Sequence, residues 1–551
     1  MSDRQPSEHT RFNSDVDKAA GVQPLVCIKS NLEIPKRIAI IGGGLTGLAA
    51  AHRLGELALD NKTPVETTLF ESGSRLGGLI GTQQIGEYLV DVGADSFLTN
   101  KPAAVNLCRR LGIEDRLIPT DTRFRGALVL RNGRPIPVPR GFQLLSPTEI
   151  WPVLTSPIFS ISGKLRMLME WFIPGKKSAS TANSPAGSRV DHSELIDESL
   201  SGFVRRRFGR EALDRLIQPL VGGIYTADPE RLSLAATLPR FLEMERDFGS
   251  IIRASRHLQK AEREQLAANL EPASATDRNS GPRDQSSGAR YGLFAGLKGG
   301  MDELVDALRN RINSGCIIRL NTEVASISAI GRSDDSAQKP VSHRYNLTFA
   351  DGHQEQFDTV IIATTGDRVA GILESLDARL SQELRKIDYA SSAIVVSGHR
   401  LADIGNPLQS FGMVIPHIEN RRILAVSFSS RKFPDRAPAD RVLLRTFVGG
   451  AMQPELLQQS DENLIRIVRD ELSETLGVGG EPDFVRVFRY QRAMPQYHVG
   501  HLELVARIEA LLRRHPRLTL AGIACRGVGI PDAIASGERA ATDVFGRPAR
   551  D

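Results

Sequence analysis

Along the chain, apolar and polar positions first fall into a regular pattern at residues 37–41, a short β-branched run (RIAII) followed at once by GGGLTG and then by LAAAHRL. The apolar positions of LAAAHRL recur at helical spacing, so a buried parallel strand, a glycine turn and a helix are expected in unbroken succession. A second strand is expected at 66–70, then strand and turn over 82–92, then the small-residue segment Gly93-Ala94-Asp95-Ser96. Residues 101–111 read as a helix with Asn100 as N-cap, Pro102 in its first turn and Gly112 as its stop. ALVLRNGRPIPVP carries a hairpin signal at Asn132-Gly133, and residues 162–171, 195–208 and 210–221 have helical periodicity. Residues 174–189 and 271–290 are polar and rich in Ser, Gly, Ala and Pro; they read as a mobile linker and a disordered insertion.

The second half begins with LFAGLKGGMDELVDAL, a glycine turn leading into an amphipathic helix, and continues with strands at 316–320, 323–327, 345–349 and 359–363. FDTVIIATTG ends its strand in a small-residue turn, as expected where the chain re-enters a dinucleotide-binding domain. Residues 389–490 alternate in SSAIVVSGHR, RRILAVSF and RVLLRTFVGG, which predicts an antiparallel sheet in a substrate domain. Residues 517–545 read as strand (LTLAGI), glycine turn (CRGVGIPD) and helix (AIASGERAATDVF).

Gly42, Gly44 and Gly47 have the spacing G-x-G-x-x-G in the strand–turn–helix context the motif requires, with Gly43, Leu45 and Thr46 between them. That geometry admits a pyrophosphate to a helix N-terminus. Glu71, ending the next strand, is placed to accept from a ribose 2′-OH, which argues against a 2′-phosphate. ESGSRLGG, with Ser72, Arg75 and Gly78, resembles the extension of FAD enzymes of the glutathione-reductase-like, amine-oxidase-like class, so FAD is favoured over NAD. Gly93 to Ser96 would bring backbone N–H groups to a flavin, or form an ordinary turn. Gly529, Ile530 and Pro531 open a helix with Pro near N1, whose first-turn donors would face the flavin N1/C2 edge; the plain alternative is a capped C-terminal helix.

The 551-residue length implies several domains, and a net charge of +5 is small for such a chain. It suits an anionic substrate or a membrane surface, and equally a solvated surface; no nucleic-acid motif accompanies it. Cys27, Cys108, Cys316 and Cys525 lack metal or C-x-x-C spacing, and no metal site is expected. The polar N-terminus has no secretory core, so a cytoplasmic protein with a disordered tail over residues 1–31 is expected. Residues 150–163 are too short to span a bilayer, although Trp151, Phe159, Trp171 and Phe172 would form a patch for peripheral membrane contact. The alternative is a core helix.

With these pieces in place the chain resembles the HemY-type porphyrinogen oxidases over about residues 37–545. The stretches that carry the resemblance are IIGGGLTGLAAA, LFESGSRLGG, VGADSFL, GIYTADPERLSL, GLKGGMDELV, FPDRAPADRVLLRTFVGG, MPQYHVGH and GVGIPDAI. The resemblance implies a mixed α/β fold: a glutathione-reductase-like FAD-binding Rossmann domain, an amine-oxidase-like substrate sheet domain and a helical domain. On this reading residues 32–100, 291–370 and 496–551 bind FAD, 101–225 form a helical substrate-access domain, 226–290 a substrate-domain segment, and 371–495 the substrate sheet.

The implied activity is oxygen-dependent, six-electron oxidation of coproporphyrinogen III to coproporphyrin III in heme biosynthesis, with H2O2 formed and the product handed on to a ferrochelatase-type enzyme. Protoporphyrinogen IX is the alternative substrate; a flavin amine oxidase or carotenoid desaturase is a more distant alternative. GVGIPDAI and MPQYHVGH look closest to the soluble, coproporphyrinogen-oxidising branch. Where the protoporphyrinogen branch carries a propionate-binding arginine this chain has Ala127, with Arg123 and Arg125 just upstream. The resemblance further implies a backbone contact from Val324 to adenine, and Lys101 beside a substrate propionate, though Lys101 also reads as an exposed lysine at a helix start. Val396, Val414 and Phe433 are candidates for an apolar clamp around the macrocycle, or for core. No catalytic side chain is required, because the flavin carries the chemistry; His498 and His501 are expected to be structural.

Overall fold

The computed structural model describes residues 35–143, 145–147, 149–176, 196–268, 293–330 and 345–546. The expected tail, the 271–290 insertion and most of the 174–189 linker lie outside the described residues. At the centre is a five-stranded parallel sheet, in the order Cys316–Arg319, Val65–Phe70, Lys36–Ile41, Thr359–Ile362, Leu518–Leu520. The inner strands are buried on both faces and so read as continuous apolar or β-branched runs. The helices Leu45–Asp60, Asp302–Ile312 and Ile530–Phe545 pack on one face around Ile38, Ile40 and Ile361. Gly537 permits the first and last of these helices to touch, since a Cβ there would lie 2.2 Å from the Thr46 carbonyl oxygen.

A seven-stranded sheet forms the second layer, in the order Phe484–Pro495, Tyr389–Arg400, Arg441–Gly449, Ala425–Phe428, Gly412–Val414, Leu128–Arg131, Arg134–Pro137. All its neighbours are antiparallel except Gly412–Val414 against Leu128–Arg131. One face packs on the helix Asp461–Leu476. The other meets the strand Tyr88–Asp91 at one side and a helical unit, residues 149–172 and 196–268, at the other. Within that unit Glu170, fully buried, accepts from the Ile251 N–H at 2.8 Å and the Ile252 N–H at 3.2 Å and pairs with the equally buried Arg207. The carboxylate therefore sits at the start of the helix Ile251–Ala268, where the helix dipole favours it.

Several elements differ from expectation. The 128–137 hairpin leaves the helical region and becomes the edge of the large sheet, a choice set by pairing with Gly412–Val414 nearly 300 residues away. The helices Gly366–Leu373 and Ala378–Arg385 pack on the second face of the parallel sheet, so the chain reaches the antiparallel sheet at Tyr389 rather than at 371. Residues 234–268 continue the helical unit. The helix predicted from 101 begins at Ala103 with Pro102 at its N-cap; 150–163 divides into Ile150–Thr155 and the start of Ile161–Leu168. Phe294–Leu297 is a strand between Phe97–Leu98 and Leu117–Pro119. No helix of the described residues is long and apolar enough to cross a membrane.

Candidate flavin site

The Lys36–Ile41 strand turns at Gly42, whose φ of +110° is a conformation that L side chains rarely adopt. A Cβ on Gly47 would lie 1.9 Å from the Gly42 carbonyl oxygen, so that glycine lets helix and strand close together. Gly44 differs: a Cβ there would meet only the Gly78 Cα, at 3.9 Å. The space above its backbone is open, as a pyrophosphate requires. Leu45 and Thr46 are buried in the first helical turn. Glu71 Oε2 accepts from the Gly43 N–H at 2.8 Å and Oε1 from the Gly73 N–H at 2.7 Å, which holds the carboxylate in place with lone pairs left for a ribose diol. The Ser72 hydroxyl takes a hydrogen bond from Arg368. The Arg75 guanidinium braces the RLGG loop through the carbonyls of Leu76, Gly78 and Ile80. The Thr322 N–H donates to the Glu71 carbonyl at 2.9 Å, which brings Val324 to the same end of the sheet; its side chain is core.

The candidate opposite wall is the start of the helix Ile530–Phe545. Gly529 N–H donates to Asp532 Oδ2 at 3.2 Å, and the N–H groups of Ile530 and Asp532 have no intrahelical acceptor. Pro531 has no N–H, and its side chain and that of Ile530 turn into the core. Asp532 binds Lys101 Nζ through both oxygens, each at 2.7 Å. Burial and the Asp532 charge push the Tyr225 phenol up to about 12. Behind this wall Tyr497 stacks on His501 with ring centroids 4.1 Å apart, and His501 Nε2 lies 2.9 Å from the Cys525 carbonyl oxygen. His498 instead faces Arg231 and Asp388. The two histidines thus support separate loops.

Gly93 to Ser96 join the two sheets. Gly93 approaches so closely that a Cβ would fall 1.8 Å from the Leu79 carbonyl oxygen, and its own carbonyl accepts from Arg445. Ala94 is exposed. Asp95 is buried between Lys432 Nζ at 2.8 Å and Arg445 Nη1 at 2.9 Å, and Lys432 also reaches the Ser96 hydroxyl at 2.6 Å. Burial alone would raise the Asp95 carboxyl, but the two cations outweigh it and hold it well below the usual carboxylate range. Neither cation was singled out in the sequence, where no local signal marks them; the partners lie about 340 residues apart.

Of the apolar clamp candidates, Val396 and Phe433 are wholly buried and present no surface to a bound molecule. Val396 packs with Tyr88 and Val90, and Phe433 lies under Gly296, where a Cβ would come 3.0 Å from its ring. Val414 differs. It belongs to the cross-strand row Ile394, Phe447, Ala425, Val414, Val129, which shares one sheet face. The two ends of the row are core, whereas Phe447 and Val414 are only half-buried. Opposite Val414 stands Gly223 of the helix Gln218–Tyr225, where a Cβ would still be 3.9 Å from the nearest atom, Val414 Cγ1. The helix is fixed at both ends: Gln218 Oε1 accepts from the His417 N–H at 3.0 Å, and the Thr226 carbonyl from the Ala451 N–H at 2.8 Å. The helix therefore packs closely on this face of the sheet, with Val414 against the helical core.

A separate polar cleft of about 450 Å3 lies at the end of the large sheet, near Tyr389 and Gly450. Its arginines, Arg231, Arg489 and Arg492, are each paired with an aspartate, and it includes none of the residues expected to bind the cofactor.

Residues 45–545 match the family described as flavin containing amine oxidoreductase. The chain belongs to that family. Its cofactor is FAD, which the open Gly44 backbone and the pre-oriented Glu71 carboxylate fit. Curated relatives match the chain nearly end to end. It is 31% identical to the coproporphyrinogen III oxidase of Bacillus subtilis over 93% of this chain and 98% of that protein. It is 30% identical to protoporphyrinogen oxidase 2 of Arabidopsis thaliana over 92% of this chain and 93% of that protein. Among solved structures, a putative protoporphyrinogen oxidase from Exiguobacterium superposes with a TM-score of 0.74 at 26% identity, covering 93% of this chain and 98% of that one.

Proposed function

We propose that this chain is an FAD-dependent porphyrinogen oxidase of heme biosynthesis that converts coproporphyrinogen III to coproporphyrin III. Six electrons and six protons leave the substrate, and three O2 become three H2O2. Protoporphyrinogen IX is a second substrate. The observation that carries this reading is the open Gly44 backbone beside the pre-oriented Glu71 carboxylate, which fits FAD, in a chain that porphyrinogen oxidases match nearly end to end. Relatives of both substrate types match at 31% and 30%, so identity alone does not choose between the two porphyrinogens.

FAD, when bound, supplies the electron acceptance from substrate and the delivery to O2. The chain's own residues bind and orient. The backbone around Gly44 and the Glu71 carboxylate anchor the cofactor's phosphate and ribose, and the free N–H groups of Ile530 and Asp532 offer positive partial charge at the other wall. Gly93, Asp95 and Ser96, held by Lys432 and Arg445, keep the two sheets at a set distance. Purified protein mixed anaerobically with coproporphyrinogen III should lose its flavin absorbance, and admission of O2 should give coproporphyrin III by mass. Failure of both porphyrinogens to bleach the flavin would sink the proposal.

We place the protein in the cytoplasm and at the membrane surface. Ile161, Leu165, Met169 and Phe172 fall on successive turns and are 56–84% exposed, Leu165 and Met169 at 58% and 56%, Phe172 at 84%, with Trp151 at 74% nearby. Such a face suits the headgroup region of a bilayer. Cosedimentation with anionic phosphatidylglycerol vesicles, lost in Phe172→Ser with Leu165→Ser, is the expected result; equal sedimentation of both proteins would refute attachment through this face.

A further inference from the structure

The polar cleft near Tyr389 and Gly450 lies where the edge strand Phe484–Pro495 bulges away from its neighbour Tyr389–Arg400. Between the pairs Ala390–Met494 and Ser392–Tyr490, the single residue Ser391 faces three, Gln491 to Ala493. Arg492, in the middle of the three, has a φ of +46°, a left-handed conformation that residues other than glycine seldom take. Its N–H donates to the Ser391 hydroxyl at 2.9 Å. A bulge of this kind redirects a side chain, and the Arg492 guanidinium comes to lie over the Tyr389 ring, 5.8 Å from the centroid, among the residues that line the cleft. Charge on an edge strand guards against pairing with other strands. A regular strand would supply that charge without the left-handed residue.

The lining carries Arg231, Arg489 and Arg492 against one carboxylate, Asp388. Arg489 is used up, with Nε on Asp461 and its terminal nitrogens on the Leu457 and Gln459 carbonyls. The other two are not. Among the described residues Arg231 engages Asp388 and His498 through Nη2 alone, and Arg492 engages Asp367 through Nε alone. These ion pairs are 59% and 55% exposed at the arginine, so each is weak and readily shared with a second anion. Asp367 holds Arg492 from outside the lining, and Asp388 is itself held by Arg231 and by His498 Nδ1 at 3.4 Å. Ala451, Pro454 and Leu457 give the cleft an apolar side, and its volume of about 450 Å3 falls within the range of small-molecule sites.

We infer that this cleft binds a small organic oxoanion, its carboxylate or phosphate group received by Arg231 and Arg492 and its carbon part set against Pro454 and Leu457. A planar guanidinium takes such a group in two-point contact. The Ser392 hydroxyl and the Gln458 and Gln491 amides belong to the same lining and offer further donors. The bound ion bridges the helical unit, which carries Arg231, and the large sheet, which carries Arg492. Those two parts are also joined nearby, through the Thr226 carbonyl on the Ala451 N–H at 2.8 Å and Gln496 Nε2 on the Tyr225 carbonyl at 3.3 Å. The anion therefore acts at the junction of two packed units. The cleft shares no residue with the expected FAD site, so its occupation does not depend on which substrate is oxidised.

The test titrates the flavin-loaded protein calorimetrically with citrate and, separately, with inorganic phosphate, each against sodium chloride at equal ionic strength. One equivalent of at least one of the two should bind, and the thermal midpoint should rise with its concentration. Citrate alone assigns a carboxylate ligand, phosphate alone a phosphate ligand, and binding of both a site that accepts either group. Arg492→Gln and Arg231→Gln should each raise the Kd about tenfold or more, the loss of a charged hydrogen bond. Arg385→Gln removes a similarly exposed arginine, paired with Glu374 away from the cleft, and should leave the Kd unchanged. No binding of either anion, unchanged affinity in the two cleft variants, or equal weakening in all three overturns the inference. Should a cleft variant lose its flavin absorbance, Ser392→Asp keeps both arginines and sets a negative charge in the lining; it should abolish binding, and retained affinity there also overturns the site.

Discussion

Lys101 and Asp532, 431 residues apart, meet in a two-oxygen ion pair with both Nζ to oxygen distances at 2.7 Å. Asp532 also takes the Gly529 N–H, so the lysine is linked through it to the start of the helix Ile530–Phe545. The pair is half-exposed at the lysine and is worth less than about 1 kcal/mol of stability. Its role is positional. Lys101→Met, Asp532→Asn and the double variant should therefore affect flavin retention and porphyrinogen turnover to the same degree, with the second change adding nothing. A rise in porphyrinogen KM confined to Lys101→Met would instead place the ammonium on the substrate.

Gly44 and Gly47 belong to one motif and fail differently when substituted. A side chain at Gly44 meets no protein atom closer than 3.9 Å and occupies the pyrophosphate's approach. Gly44→Val should give folded, colourless protein with native-like far-UV circular dichroism. Gly47→Ala drives a methyl against the Gly42 carbonyl at 1.9 Å, and should lower thermal stability even before flavin is considered. Yellow, stable protein from either change would count against the cradle.

His52 makes the protein sensitive to mild acid. Burial in the first helix pushes its imidazole down to about 4, which the nearby Glu56 only partly opposes. An unfolded histidine titrates near 6.5, so between about 4 and 6.5 the unfolded chain binds the proton and the folded one does not. Stability is then complete above about pH 6.5 and declines as pH falls toward 4. Urea midpoints at pH 7 and pH 5 should differ for the parent protein, and His52→Leu should reduce that difference. The same slope in both would exclude His52 as its source.

Legibility followed the range of the interactions. The Lys36–Ile41 strand, the Gly42 turn, the helix after it and Glu71 are written within 36 consecutive positions, where backbone geometry, glycine spacing and a period of 3.6 suffice. The C-terminal helix was readable for the same reason, through Gly529, Pro531 and Asp532. Val396 and Val414 show the limit: both are valines in alternating strands, and one is wholly buried while the other is half-buried.

What the sequence determined by itself is the local order of elements, the strand–turn–helix around Gly42 to Gly47 and the family stretches. Only the tertiary structure decided that the 128–137 hairpin joins the large sheet, that Asp95 sits between Lys432 and Arg445, and that Asp532 holds Lys101. Each is a choice among many chemically equivalent partners hundreds of residues away. Local propensity cannot rank them, because the difference lies in which strands pair and which charges are then buried together.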